Sequence, residues 1–180
     1  MGYIANFEKV SEKQWNNLKY CDNLRNNLVL NGESRLCEYD EIKLPTRATK
    51  HSAGYDFYST EDFTIKPGES VVVNTGIKCE IDPSWVLVLC PKSGLGFNYG
   101  MTLANTIGII DADYYNSKSN DATNEGHIMV KIHVPSESTK ALVIKKGQKF
   151  CQGIFLQYGV AIENKDELGT RNGGIGSTGK

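Results

Sequence analysis

The sequence has no long hydrophobic run and no marked excess of charge of either sign. It carries 20 lysines and arginines against 21 aspartates and glutamates over 180 residues. Balanced charge excludes the strongly positive overall surface that is typical of proteins that bind nucleic acid or an anionic membrane. An anionic ligand must therefore be held by local groups. No apolar stretch approaches membrane-spanning length, and the N-terminus lacks a signal-peptide pattern. These absences predict one soluble, cytoplasmic domain.

The cysteines form no recognisable pair or metal-binding set. They are odd in number and scattered, at Cys21, Cys37, Cys79, Cys90 and Cys151, and there is no C-x-x-C spacing. The last three lie inside apolar, strand-like runs, and none of the histidines is spaced to complete a zinc site with them. We therefore expect reduced, partly buried thiols in place of disulfides.

Most of the chain beyond residue 43 consists of short apolar runs separated by turns rich in glycine and proline. In one run Ile128, Val130, Ile132 and Val134 alternate with other residues, a period typical of a half-buried strand. Such runs, with one good helical window in the whole sequence, predict an antiparallel sandwich or barrel.

The first forty residues differ in composition from the rest. A short strand is predicted around Tyr3 to Phe7, and Ser11 followed by Gln14 is a capping-box pattern. The apolar residues behind this cap are Trp15, Leu18, Leu24 and Leu28. Residues 11–40 are predicted to be an inserted, partly helical surface element that packs on the body.

Five short segments are not explained by strands and ordinary turns alone. In chain order they are A-G-Y-D-F (53–57), P-K-S-G-L-G (91–96), N-T-I-G-I-I-D-A-D-Y-Y (105–115), G-Q-K-F-C-Q (147–152) and the glycine-rich tail (171–180). The second could form an anion nest of backbone N–H groups, or a plain loop. The third suggests a buried strand that brings carboxylates and tyrosines to a pocket rim, or simply a strand entering a polar turn. The tail is either a disordered terminus or a flap that orders over a phosphate chain.

In this order and spacing, the five segments resemble the motifs of the trimeric dUTPase family, over roughly residues 43 to 180. The resemblance implies an all-β fold, a distorted antiparallel β-barrel or jelly-roll with a short helical N-terminal insertion, in a single domain over residues 1–180. It implies a homotrimer with shared active sites that hydrolyses dUTP to dUMP and pyrophosphate with Mg²⁺. That reaction limits uracil incorporation into DNA and supplies dUMP for dTMP synthesis.

The resemblance also implies roles for single residues. Asp111 would be the catalytic carboxylate that activates the attacking water. Tyr114 would lie under the deoxyribose, and Asp56 would support hydrated Mg²⁺ indirectly, through water. The other substrate-binding residues would be Asn105, Gly108 and Ile110 at the uracil, Lys92, Ser93, Gly94 and Gln152 at the phosphates, and Arg171, Ile175, Gly176 and Ser177 in a flexible flap over residues 169–180.

Several positions differ from the family pattern. Lys92 and Lys149 stand where the family usually has arginine. The positive charge is kept, but the paired N–H donors with which a guanidinium group binds two oxygens at once are lost. Ile175 replaces the aromatic residue that normally covers the uracil, which predicts a looser closed state. A polar insertion over 117–126 lengthens the connection after the third segment. Like residues 11–40, it is either surface elaboration or a docking surface for a protein partner.

Three other functions are consistent with parts of the pattern. A dCTP deaminase shares the superfold, although the I-D-A-D-Y arrangement and the long tail favour the dUTPase. A nucleotide-binding regulator with poor turnover is compatible with the lysine and isoleucine departures. A purely structural jelly-roll protein would have no need of the tail.

Overall fold

The computed structural model describes residues 3–25, 36–119 and 122–162. Within them the chain forms fourteen β-strands, and every strand pair is antiparallel. The strands are β1 (Ala5–Lys9), β2 (Thr46–Arg47), β3 (Tyr55–Tyr58), β4 (Phe63–Ile65), β5 (Ser70–Asn74), β6 (Ile77–Ile81), β7 (Trp85–Pro91), β8 (Thr102–Leu103), β9 (Gly108–Ile110), β10 (Lys118–Ser119), β11 (Ala122–Thr123), β12 (Met129–His133), β13 (Leu142–Ile144) and β14 (Lys149–Gln157). The helices are α1 (Glu12–Arg25) and α2 (Ser93–Tyr99), with 3₁₀ turns at Tyr39–Glu41 and Ala112–Tyr114.

The largest sheet has the strand order β2-β3-β14-β7-β9, and a three-stranded sheet has the order β5-β12-β8. Strand pairs β1-β6, β13-β4 and β10-β11 complete the arrangement. These antiparallel layers form the predicted distorted jelly-roll. The five-stranded sheet matters most here, because its strands carry four of the five singled-out segments or lead directly into them.

The core lies between the sheets and follows the predicted period of two. In β12, Val130 and Ile132 are buried, whereas Met129 and Lys131 face outward. Such alternation lets one face of a strand join the core while the other meets solvent or another surface. The fully buried large side chains are Trp15, Phe57, Phe150, Ile65, Ile77, Leu87, Leu89, Met101, Ile128, Ile132, Leu142 and Ile144.

The N-terminal segment packs on the body through Trp15. Strand β1 pairs with β6, and α1 follows Ser11, whose Oγ accepts the N–H of Gln14 at 3.1 Å. The indole of Trp15 is fully buried and donates its Nε1–H to the Cys37 carbonyl at 3.0 Å. The side chain of Leu24 and all of Leu28 lie outside the described residues.

Two segments differ from their predicted form. The glycines of 91–96 suggested an open nest, but residues 93–99 form helix α2, which ends at Gly100 in the left-handed region, φ 66°. Within 105–115 the predicted buried strand is wrong, because β9 is an edge strand bonded to β7. Ile107 and Ile109 are 45% and 51% exposed, and Gly108 is the buried position.

No helix in the described part of the chain is long and apolar enough to cross a membrane. All five cysteines have free thiols, and Cys37, Cys79 and Cys151 are buried. Burial raises the pKa of Cys79 and of Cys151 to about 12, so these thiols stay protonated and behave as small apolar side chains.

Candidate functional site

Asp56 is the centre of an ion cluster at one end of the five-stranded sheet. Its carboxylate is 4% exposed, with Oδ1 2.5 Å from Nζ of Lys92 and Oδ2 2.7 Å from Nζ of Lys149. Burial acts to raise the pKa of Asp56, but the hydrogen bonds and charges of the two lysines outweigh it, and the pKa is lowered. The cluster joins the first, second and fourth of the predicted segments.

Gln152 gives these segments a second connection. It lies opposite Asp56 on one neighbouring strand and opposite Cys90 on the other, and its Nε2–H donates to the Pro91 carbonyl at 3.1 Å. A Cβ added at Gly54 would lie 2.8 Å from Gln152 Oε1. A glycine at 54 therefore leaves room for the amide group in its present place.

Ser93 and Gly94 open helix α2 directly after β7. Lys92 precedes the helix in an extended conformation, and its carbonyl accepts the N–H groups of Leu95 and Gly96, both at 3.0 Å. The N–H groups in the first turn of a helix have no acceptor within that helix. A Cβ atom added at Gly94 would have no other atom within 4 Å, so the backbone there is open to a ligand.

The third segment begins with a tight hairpin between β8 and β9. Asn105 is exposed at its tip, and Thr106 follows in the left-handed region, φ 68°. Gly108 packs so closely on Leu89 of β7 that a Cβ would lie 3.1 Å from Leu89 Cβ. Ile110 is half-buried and pairs with Leu87. The hairpin thus presents polar backbone and Asn105 at one exposed edge.

Asp111 begins the 3₁₀ turn that follows β9. It is half-buried, and its carbonyl accepts the N–H of Tyr114 at 3.1 Å. The Tyr114 side chain is 9% exposed, and its hydroxyl donates to the His127 carbonyl at 2.8 Å while accepting the Nδ2–H of Asn124 at 3.2 Å. Asp113 points to solvent, as expected for a turn residue.

The strand register keeps Asp111 away from the ion cluster within one chain. Strand β7 pairs Leu87 with Ile110, the residue before Asp111, and Pro91 with Cys151. Four residues of extended strand span roughly 13 Å. Asp111 and Lys92 therefore lie at opposite ends of β7. Thr106, at the start of the third segment, lies near Pro91, but Asp111 is distant from the point where the first, second and fourth segments meet.

A cavity of about 360 Å³ adjoins the hairpin. Its lining residues are Ser70, Pro91, Thr102, Leu103, Ala104, Thr106, Lys131 and His133. None of the predicted substrate-binding residues is among them, although Pro91 belongs to the second segment and Thr106 to the third.

Sequence reasoning missed the groups that support Tyr114. Asn124 and His127 belong to or adjoin the insertion over 117–126, which was interpreted as surface elaboration or a docking surface. His127 is 1% exposed and its Nε2 accepts the N–H of Gly76 at 3.0 Å, which leaves the ring proton on Nδ1. Arg171, Ile175, Gly176 and Ser177 lie outside the described residues.

The described residues contain no cluster of three or more histidine, cysteine or acidic side chains that could hold a metal ion. Both oxygens of Asp56 already face lysine ammonium groups, so direct ligation of a cation by this carboxylate does not fit the geometry. Mg²⁺ commonly keeps several waters and binds substrate phosphates, which is compatible with this donor set.

Comparison with known proteins gives a consistent result. A sequence model of the family described as dUTPase matches residues 40–179. The deoxyuridine 5'-triphosphate nucleotidohydrolase of Lactococcus lactis is 37% identical over 139 residues, which cover 77% of this chain and 89% of that protein. The protein of the same name from Nautilia profundicola is 34% identical over 78% of this chain and 93% of its own length.

Comparison with solved structures also finds a dUTPase. The crystal structure of dUTPase from Streptococcus mutans superposes with a TM-score of 0.63 and 27% identity, covering 88% of this chain and 99% of that one. The match of the family to residues 40–179 includes all five segments singled out from the sequence. This chain belongs to the dUTPase family.

Proposed function

We propose that this protein hydrolyses dUTP to dUMP and pyrophosphate, and so limits uracil in DNA and supplies dUMP for dTMP synthesis. The observation that carries the proposal is the meeting of three separate segments at Asp56 and Gln152. Cationic side chains and an amide converge there beside the open first turn of α2, a combination suited to a triphosphate. Family relatives that carry the nucleotidohydrolase name support the choice of dUTP.

In this proposal Asp111 accepts the proton of the water that attacks the α-phosphorus. The oxygen of that water forms a bond to phosphorus, and the bond from phosphorus to the bridging oxygen of pyrophosphate breaks. A half-buried carboxylate at the end of a strand is held by its backbone, which helps to align a water for in-line attack.

The hairpin and the 3₁₀ turn are proposed to select the nucleoside. Asn105 and the backbone from Gly108 to Ile110 would pair with the uracil edge, and the ring of Tyr114 would leave no room for a 2′-hydroxyl. The close contact of Gly108 with Leu89 supports a rigid base site. Steric exclusion and unmet polar groups discriminate strongly between related substrates.

The triphosphate is proposed to lie against Ser93, Gly94 and Gln152, with Lys92 adding positive charge. Arg171, Ile175, Gly176 and Ser177 would close over it from the tail. Mg²⁺ held by the phosphates and by water would neutralise charge and orient the α-phosphate, and Asp56 would reach it only through water.

We further propose a homotrimer whose sites are shared between chains. The support is the separation along β7, which leaves Asp111 far from the phosphate-binding groups of its own chain. A second copy could bring its Asp111 to that end of the sheet, as closed symmetric assemblies repeat one contact. Free thiols at all five cysteines support a reducing, cytoplasmic setting.

The direct test is incubation with dUTP, dCTP or dTTP and Mg²⁺, following pyrophosphate and ammonia. We expect pyrophosphate and dUMP from dUTP, and little turnover of the other two nucleotides. Ammonia from dCTP would instead identify a deaminase. Tight binding of dUTP without product would identify a nucleotide-binding regulator, and no binding at all would leave a structural protein.

A further inference from the structure

The segment that precedes the family match contacts the insertion over 117–126 most closely at Glu125. Glu125 Oε2 accepts the backbone N–H of Ser11 at 2.7 Å, and Oε1 accepts the Ser11 hydroxyl at 2.5 Å. Burial acts to raise the pKa of Glu125, but the two Ser11 hydrogen bonds outweigh it, and the pKa is lowered. Glu125 is therefore an ionised partner at the start of helix α1, where negative charge is also favoured by the helix dipole.

The residues on either side of Glu125 hold the hydroxyl of Tyr114. Asn124 Nδ2–H donates to that hydroxyl at 3.2 Å, and the hydroxyl donates to the carbonyl of His127 at 2.8 Å. Asn124 is itself fixed, because its Oδ1 accepts the N–H of Gly126 at 2.9 Å. The loop that carries Glu125 is thus the same loop that fixes Tyr114.

The backbone of this loop is held in an unfavourable conformation close to the 3₁₀ turn. Glu125 is in the left-handed region, φ 58°, and so is Gly126, φ 75°. A Cβ at Gly126 would lie 2.4 Å from the Tyr114 carbonyl oxygen, so the loop backbone passes directly over the 3₁₀ turn. Glu125 adopts a conformation that is unfavourable for a residue with a side chain, and an outside contact is needed to hold it.

A second set of contacts joins the same two regions. Lys78 of β6 lies between them, with its Nζ 3.7 Å from Glu8 Oε2 of β1 and 3.8 Å from Glu125 Oε2, and it donates to Asn116 Oδ1 at 3.1 Å. The Tyr115 hydroxyl donates to Glu8 of β1 at 2.9 Å. Residues of β1 and the start of α1 therefore contact the third motif and its insertion at several points, and the Ser11–Glu125 pair has the shortest contacts.

We propose that Glu125 is a positioning residue through which the N-terminal segment holds Tyr114 in place for selection of the sugar. This inference rests on the proposed function, since Tyr114 is assigned there to the deoxyribose. Loss of the Glu125 contact lets the 124–127 loop relax, and Tyr114 then excludes a 2′-hydroxyl less well. The insertion and the N-terminal segment act as one support of the active site.

The test compares Glu125→Ala, Glu125→Gln and Ser11→Ala with Lys19→Ala in the full-length protein. Lys19 lies on α1, the helix that Ser11 caps, and pairs with Glu38 at 2.6 Å; among the described residues it makes no hydrogen bond or ion pair with the insertion. The first readout is the ratio of kcat/KM for UTP to that for dUTP. The second is hydrogen exchange at the amides of residues 114–117, which needs no turnover.

We expect Glu125→Ala to raise the UTP-to-dUTP ratio about tenfold, the size of one lost charge-assisted hydrogen bond, and to speed exchange at 114–117. Glu125→Gln should give a smaller change, because an amide oxygen still accepts a hydrogen bond. Lys19→Ala should change neither readout. Adding Ser11→Ala to Glu125→Ala should not change the UTP-to-dUTP ratio further, because Glu125→Ala already removes both hydrogen bonds between Ser11 and the carboxylate.

An unchanged ratio and unchanged exchange in both Glu125 variants would overturn the inference while leaving dUTP hydrolysis intact. An equal effect of Lys19→Ala would also overturn it, since the cause would then be general loss of helix stability. Absence of dUTP turnover in the unmodified protein would refute the proposed function and the sugar-selecting role with it. The exchange data would then still decide whether the physical link from Ser11 to Tyr114 exists.

Discussion

Lys149 and Asp56 form an ion pair across neighbouring strands, with Nζ 2.7 Å from Oδ2. The carboxylate is 4% exposed and the lysine side chain 39% exposed, so the pair lies between the core and the open face of the sheet. With Lys92 on the other oxygen, two lysines from separate segments share one buried partner. Each lysine supplies a point charge, and the arrangement does not need a bidentate fork.

Replacing Asp56 with asparagine should weaken both the fold and the site. Asparagine carries no charge, so the variant loses the ion pairs that Lys92 and Lys149 make with the buried carboxylate. We expect the free energy of unfolding to fall by an amount on the order of 1 to 3 kcal/mol. The freed lysines should turn toward solvent, which should raise the KM for dUTP. Urea unfolding at pH 7 and steady-state kinetics measure the two effects.

Asp62→Asn is the matched control for that variant. Asp62 pairs with Lys145 at 2.8 Å, but both side chains are more than half exposed. Exposed ion pairs contribute little to stability because water screens them. We expect this variant to change unfolding far less than Asp56→Asn and to leave KM unchanged. Equal effects of the two substitutions would contradict the role assigned to the buried cluster.

Gly54→Ala should displace the side-chain amide of Gln152 without disturbing the rest of the fold. Its carbon would lie 2.8 Å from Gln152 Oε1, the far end of a flexible side chain that can turn away. The hydrogen bond to the Pro91 carbonyl would then break, and we expect kcat/KM for dUTP to fall about threefold to tenfold. Thermal unfolding should shift little.

Gly159→Ala provides the comparison, because an added Cβ there meets nothing within 4 Å. Its kinetics should match those of the unmodified protein. If Gly54→Ala lowers the melting temperature strongly, the backbone has moved in place of the amide, and the explanation through Gln152 fails.

His127 should make the protein less stable as the pH falls below 6.5. Burial lowers the pKa of His127 from 6.5 to about 4, and Glu125 opposes that shift only partly. Between these values the unfolded chain binds a proton that the folded protein does not, so stability is full above pH 6.5 and decreases toward pH 4. We expect a loss of about 2 kcal/mol between pH 6.5 and pH 5, measured by urea unfolding at each pH.

His127→Gln should remove most of this dependence. The glutamine oxygen can still accept the N–H of Gly76, which the protonated ring could not. The pKa values of Asp56 and Glu125 are lowered in the folded protein from ordinary values of 3.8 and 4.5, so above pH 5 both carboxylates are mostly ionised in the folded and the unfolded state and contribute little to the slope. If the free energy of unfolding of His127→Gln still falls as the pH is lowered from 6.5 to 5, another group must take up the proton.

Much of the fold could be predicted because its signals are local. The alternation in β12 and the burial of Trp15 behind a serine cap follow from neighbouring residues in the sequence. The exposure of Ile109 could not be predicted, because it depends on β9 being at the edge of a sheet. Helix α2 was missed because Gly94 and Gly96 favour loops, and packing overrides that weak preference.

In the candidate site too, local sequence patterns predicted some features, whereas others depend on the tertiary structure. The spacing of short motifs identified the segments that meet at Asp56, and both lysines were singled out, but their sharing of its carboxylate was not predicted. The contact of Ser11 with Glu125 joins residues 114 positions apart, and no local pattern marks it. The separation of Asp111 from Lys92 depends on strand register, which a sequence specifies only through the complete sheet.

The shared-site proposal can be tested by mixing one variant that lacks the catalytic carboxylate with another that is impaired in phosphate binding. Asp111→Asn should abolish turnover while leaving nucleotide binding, and Gln152→Ala should lower turnover through poor binding of the phosphates. Each chain keeps one of the two groups intact, and these groups lie at opposite ends of β7. In an assembly where neighbouring chains complete one another's sites, some sites regain both groups.

Random mixing of equal amounts, by co-expression or refolding together, should restore about one quarter of the sites, because each site draws its Asp111 and its Gln152 from different chains. Activity should then clearly exceed the average of the two separate variants. If every site were built within one chain, the mixture would show only the average of the two variants at any ratio. Varying the ratio of the two chains should give maximal recovery at equal amounts, which separates true complementation from a contaminating active protein.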